Sequence, residues 1–267
     1  MARLDLGGCE LYYEELGHGR PIVFLHGVCM SGRFFHRQLP YFSAGHRAVA
    51  PDLRAHGRST QVPSGHTLPT YARDLRVFLE RLALDGVVLV GWSMGCLVIW
   101  EYVRQFGTTR LAATVLVEQS PSDFKWPDWP LGAFDLPALT EAMEQLQTDR
   151  DTFAHEFISL MFKDPPGEAD RRWMFDEITR MQESIAGSIL FDQTMRDYRP
   201  VLRSLAVPSL VVMGRDEKLV PVAAGEHLVR HLPDARLLVF EESGHCPFLE
   251  EPDRFNEEVH RFIRSLP

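Results

Sequence analysis

With 267 residues, 45% of them hydrophobic, the chain can bury a sizeable core as one large domain, or as a core plus a small insertion, without covalent staples. Its formal net charge of −9 speaks against a nucleic-acid partner, because phosphate binding calls for a basic face. The cysteines Cys9, Cys29, Cys96 and Cys246 lack metal-type spacing and no stretch reaches the roughly 18 uninterrupted apolar residues of a membrane span. With no secretory pattern at the amino terminus either, a soluble protein with reduced thiols, cytoplasmic in location, is expected.

Short apolar runs at 9–14, 22–25 and 48–50 predict the first strands. A helix is predicted over 68–82, where Leu75, Phe78, Leu79 and Leu82 fall on one face. A strand over 87–90, a helix over 94–106 and a strand over 114–117 continue the alternation, which is that of a largely parallel sheet covered on both faces. From about 120 to 200 the alternation stops. Helices are predicted near 139–147, 152–162, 169–181 and 185–196, with Pro165-Pro166-Gly167 as a break between two of them. Strands over 207–213 and 235–240 come next, then a closing helix over 254–265 with Phe255, Val259, Phe262 and Leu266 at helical spacing.

The most informative segment is Gly91-Trp92-Ser93-Met94-Gly95, set between the apolar runs Val87-Val88-Leu89-Val90 and Cys96-Leu97-Val98-Ile99-Trp100. That setting is strand, sharp turn, helix, and a serine at its apex presents its hydroxyl to open space. Serine is a poor nucleophile until a base takes its proton, and the base needs an acid to orient it. Candidates lie beyond the later strands: Asp216 in Gly214-Arg215-Asp216-Glu217 as the acid, and His245 in Ser243-Gly244-His245-Cys246 as the base.

The order Ser93, Asp216, His245 is that of α/β-hydrolases. The chain resembles that superfamily nearly end to end, in Leu25-His26-Gly27-Val28, in Asp52-Leu53-Arg54-Ala55-His56-Gly57-Arg58-Ser59, in the serine pentapeptide, in Gly214-Arg215-Asp216 and in Ser243-Gly244-His245. Its flavour is that of the esterase, non-haem haloperoxidase and carbon–carbon hydrolase branch. The resemblance implies an α/β-hydrolase fold: a mostly parallel eight-stranded sheet flanked by helices, with residues 1–119 and 201–267 as core and 120–200 as a helical cap inserted after the sixth strand. It also implies an oxyanion hole from the backbone N–H groups of Val28 and Met94. His26 and Asp52 become loop-fixing residues under this reading. Ala55 departs from the family's usual glycine and suggests a changed local turn, while Glu118 ends a strand where some relatives carry their acid.

The cap segment is rich in large apolar groups, most of them expected to hold its helices together and a few to face the site. An apolar pocket with few charged groups is therefore expected, with Trp92, Cys29, Trp126, Trp129, Leu219 and Cys246 as candidate lining residues. The expected activity is hydrolysis of a small hydrophobic carboxylic ester or lactone through an acyl-enzyme, its rate climbing as the His245 imidazole loses its proton. Carbon–carbon hydrolase, hydroxynitrile lyase, perhydrolase-type haloperoxidase and cofactor-free oxygenase chemistry use similar machinery, and a ligand receptor on the same shell is a further alternative. Haloalkane dehalogenase and epoxide hydrolase are disfavoured, since an aspartate stands in that branch where this chain has Ser93. No metal or organic cofactor is expected, because the sequence has no H-E-x-x-H, no strand-linked G-x-G-x-x-G and no Walker loop. The oligomeric state is left open.

Overall fold

Strands covered on both faces read as unbroken apolar runs, and the central strand Val87–Trp92 is buried at every position. The structure, a computed structural model, describes residues 1–266. Its strands are β1 (Ala2–Asp5), β2 (Glu10–Leu16), β3 (Arg20–Leu25), β4 (His46–Pro51), β5 (Val87–Trp92), β6 (Leu111–Val117), β7 (Ser209–Gly214) and β8 (Ala235–Phe240). They form one sheet in the order β1-β2-β4-β3-β5-β6-β7-β8. Pairing is antiparallel for β1 with β2 and for β2 with β4, and parallel from β4 onward. Strand β1 is absent from the sequence expectation for a physical reason: it is a short edge strand of half-buried and exposed residues with no apolar run.

Helices α1 (Gln38–Phe42), α2 (Leu68–Arg81) and α3 (Met94–Phe106) precede β6. Four more, α4 (Leu136–Thr148), α5 (Arg150–Leu160), α6 (Glu168–Ile178) and α7 (Glu183–Thr194), fill the segment between β6 and β7. Asp135 caps α4 by accepting from the Ala138 N–H at 2.9 Å, and Asp149 caps α5 by accepting from the Thr152 N–H at 3.3 Å. The chain closes with α8 (Val222–His231), α9 (Pro247–Glu250) and α10 (Pro252–Arg264). On α10 the buried side chains Phe255, Val259, Phe262 and Ile263 recur at helical spacing. Each contributes roughly 1.5–3 kcal/mol by leaving water.

Register brings the strand ends together. Parallel pairing matches Leu25 with Gly91, Trp92 with Val117, and Gly214 with Phe240, so β3, β5, β6, β7 and β8 end along one edge. The loops that leave these strands meet there, at the carboxyl edge where open α/β sheets build their sites.

Candidate functional site

Ser93 sits directly after β5 with φ 53° and ψ −122°, a backbone conformation that non-glycine residues seldom adopt. The turn closes only because its neighbours are small. A Cβ on Gly91 would come within 2.7 Å of the Cys96 nitrogen, and one on Gly95 would strike the Leu25 carbonyl. The serine side chain is thereby held at the mouth of α3, whose first residue is Met94.

The loop after β3 runs against this serine, since a Cβ on Gly27 would lie 3.3 Å from the Ser93 Cβ. His26 fastens that loop. Its Nε2 accepts from the Leu53 N–H at 2.9 Å, which leaves the proton on Nδ1, where it donates to the Gly27 carbonyl at 2.8 Å. Full burial pushes its pKa down to about 4, so the ring is neutral. Asp52 holds the neighbouring turn by accepting from the N–H groups of Gly32 and Arg58, each at 2.7 Å. Ala55, in the same turn, takes a left-handed φ of 61°, the region that favours glycine.

The histidine loop is built from several sides. The His245 N–H donates to the Met161 carbonyl at 2.9 Å, and the indole of Trp92 donates to the His245 carbonyl at 2.8 Å. Glu250, which carried no motif in the sequence, accepts from the N–H groups of Gly244 at 2.9 Å, Cys246 at 3.2 Å and Lys163 at 2.7 Å. One carboxylate therefore ties the histidine loop to the segment after α5.

The acid beside His245 is Glu217, not Asp216. His245 Nδ1 donates to Glu217 Oε2 at 2.6 Å, with both side chains almost fully buried. The other oxygen of Glu217 accepts from the N–H groups of Leu219 and Val220. Burial pushes this carboxyl up, but the imidazole and the two N–H donors outweigh it and hold the pKa below its usual value. Asp216 turns outward, its side chain 43% exposed, and pairs with Lys163 Nζ at 3.0 Å. The two acids are adjacent in an irregular loop, where neither strand nor helix period says which one points inward.

Behind Glu217 lies Glu118, fully buried at φ 52° and accepting from the Gly214 N–H. Burial first, and the Glu217 charge second, push its pKa well above the usual carboxyl range. Glu118, Glu217 and His245 each bring a potential metal-ligand atom within 4.8 Å of the others. Here Glu217 spends its oxygens on the imidazole and two N–H groups.

Ser93 and His245 line the same cavity, of about 160 Å³, together with Val28, Cys29, Leu219 and Val220. Its far wall comes from the segment between β6 and β7, including Phe134, Leu146, Phe153, Phe157 and Leu190. The expectation of a largely apolar lining is met there, but Asp123, Glu156, Gln119, Gln145 and Gln193 also face the cavity. Of the six candidate pocket residues, only Cys29 and Leu219 line it. Trp92 packs beneath the site against Phe34 and Phe248, with ring centroids 5.3 and 4.9 Å away. Trp129 points its N–H at the Ser122 carbonyl, at 3.0 Å, and packs its ring on His227. Trp126 donates to Ser122 Oγ and rests on Phe124. Cys246 is fully buried beside the histidine without reaching the cavity.

A strained serine after a parallel strand, a loop fastened against it and a histidine on a buried carboxylate, all on one sheet edge, define a hydrolase-type site on an α/β sheet. Residues 20–252 match the family described as alpha/beta hydrolase fold. The chain belongs to that family. Its relatives include a non-heme chloroperoxidase of Kitasatospora aureofaciens, 35% identical over 97% of both chains. A bromoperoxidase of Bacillus anthracis superposes with a TM-score of 0.94 at 28% identity, over 99% of each chain. An esterase of Exiguobacterium antarcticum does so with a TM-score of 0.93 at 25% identity, over 96% of each. The chain thus falls in the esterase and haloperoxidase branch of the family.

Proposed function

We propose that the protein is a serine hydrolase that cleaves a small carboxylic ester or lactone with a mainly apolar acyl part, through an acyl-enzyme on Ser93. The observation that carries this reading is the 2.6 Å bond from His245 to buried Glu217, on the same cavity as a serine in a strained turn. In this reading residues 1–119 and 201–267 are the core that holds the reacting groups, and residues 120–200 are a cap that shapes the acyl pocket.

His245 takes the Ser93 proton as Oγ attacks the carbonyl carbon, and Glu217 fixes the imidazole tautomer and stabilises the imidazolium. The oxyanion that forms accepts hydrogen bonds from the N–H groups of Val28 and Met94, the second of them at the positive end of α3. Collapse of the tetrahedral adduct expels the alcohol, which takes the proton from His245. Water then enters, gives a proton to His245 and attacks the acyl carbon; departure of the free acid, with the proton returned to Oγ, restores Ser93. Hydrogen peroxide in place of that water yields a peracid, and the likeness to a chloroperoxidase supports including this second outcome.

The test is a series of p-nitrophenyl esters and lactones, with peracid formation measured when hydrogen peroxide is added, run beside Ser93→Ala. Mass spectrometry of the quenched reaction should find the acyl group on the Ser93 peptide, and Ser93→Ala should lose roughly 10³-fold or more in kcat. Full turnover in Ser93→Ala would overturn the reading.

A further inference from the structure

The apolar wall of the cavity is interrupted by one buried polar group of three side chains. Asp123, Gln119 and Gln193 each have only 3% of their surface exposed, and all three line the cavity. The Gln119 amide donates to one oxygen of Asp123, and the Gln193 amide donates to the other at 3.2 Å. With its Nε2 bonded to the carboxyl, the amide carbonyl of Gln193 is left as a buried acceptor with no partner. An acceptor stranded in this way is a cost to the fold that a donor on a bound molecule would recover.

Charge points the same way. Two carboxyls, Asp123 and Glu156, line the cavity, and no lysine or arginine does. An acyl group that ended in a carboxylate would meet like charge without a counter-ion.

We propose that Asp123, Gln119 and Gln193 form a hydrogen-bond-accepting subsite that selects substrates carrying a neutral donor, a hydroxyl or an amide N–H, and rejects acyl groups that carry a free carboxylate. This deepens the hydrolase reading and rests on it. Burial raises the Asp123 pKa to about 7 against the opposing pull of Gln119, His245 and Gln193.

The test compares kcat/KM for p-nitrophenyl esters of pentanoic acid, 3-hydroxypentanoic acid, N-acetylglycine and the monoester of glutaric acid. The hydroxy and acetylamino esters separate the two donor types. At least one should exceed the pentanoate by about tenfold, while the glutarate should fall about tenfold below it. In Gln193→Leu and Gln193→Met the donor-to-pentanoate ratio should fall towards one, and in Asp123→Asn the glutarate disadvantage should shrink. Each result is a ratio within one variant, so a general loss of rate cancels, and two variants at Gln193 guard against a folding defect in either. Donor esters no better than pentanoate in the wild type, or a ratio unchanged in both Gln193 variants, would overturn the subsite. A failure of the hydrolase reading looks different: no ester is turned over, or Ser93→Ala turns over all of them.

Discussion

Glu217 Oε2 accepts from His245 Nδ1 at 2.6 Å, while Asp216, its neighbour in the chain, faces solvent beside Lys163. Only one of two consecutive acids can orient the base. Glu217→Gln should therefore lower kcat by roughly 10³–10⁴-fold, the scale seen when the acid of a triad is neutralised. Asp216→Asn should stay within about threefold, because an exposed ion pair contributes little. Steady-state kinetics on p-nitrophenyl acetate would decide it, and the reverse ranking would restore Asp216 to the role.

The raised pKa of Glu118 favours its protonated form, so replacing it with the neutral isostere should be mild. Glu118→Gln is expected to keep kcat within about tenfold and stability within about 1 kcal/mol, since the amide oxygen can still accept from the Gly214 N–H. Glu118→Leu should cost roughly 1–3 kcal/mol by stranding that N–H. Denaturant unfolding of both variants measures the difference. A Gln variant as damaged as Glu217→Gln would mean that Glu118 carries the charge.

The buried imidazole of His26 makes folding sensitive to acid. Its pKa is about 4 in the fold against 6.5 for the free group, so between those values the unfolded chain binds a proton that the native state does not. Stability is whole above about pH 6.5, falls as the pH drops, and levels off below about 4. The linkage amounts to roughly 2–3 kcal/mol at pH 4.5. His56, also buried and depressed by burial, adds in the same direction. His26→Gln should therefore lose less stability than the wild type between pH 7 and 4.5, as read from urea midpoints. Equal losses in the two proteins would show that His26 does not titrate in this way.

Ala55 holds the left-handed φ of 61° at the cost of contact between its Cβ and the backbone. Ala55→Gly relieves that strain but adds freedom to the unfolded chain, for a net gain of up to about 1 kcal/mol. Gly57, in the same turn at φ 49°, has no such tolerance, because a Cβ there would strike the Asp52 carboxyl. Gly57→Ala should destabilise, and thermal unfolding of the two variants should move in opposite directions.

Much of this protein is written in its sequence because it depends on local chemistry. The apolar run into Gly91-Trp92-Ser93-Met94-Gly95 shows strand, turn and serine together, since few residues fit a turn that tight. The four helices between β6 and β7 follow from their apolar spacing and the break at Pro165-Pro166-Gly167. His245 was legible too, because a strand leads into its loop.

What only the tertiary structure decided is the direction of side chains that no periodicity governs. Asp216 and Glu217 are chemically alike and adjacent in the chain, and the loop's contacts with Ser243, Leu219 and Val220 choose which of them meets the imidazole. Glu250 and Asp123 carry no signal in the sequence because each acts on groups brought close only by folding: the backbone of residues 163, 244 and 246 for one, the amides of Gln119 and Gln193 for the other. That Trp126 and Trp129 lie away from the cavity is not legible for the converse reason, since an aromatic side chain looks the same in sequence whether it lines a cavity or packs against its own loop. Short-range sterics and periodicity are carried by neighbouring residues, whereas the pairing of a buried charge is fixed by whatever the fold brings against it.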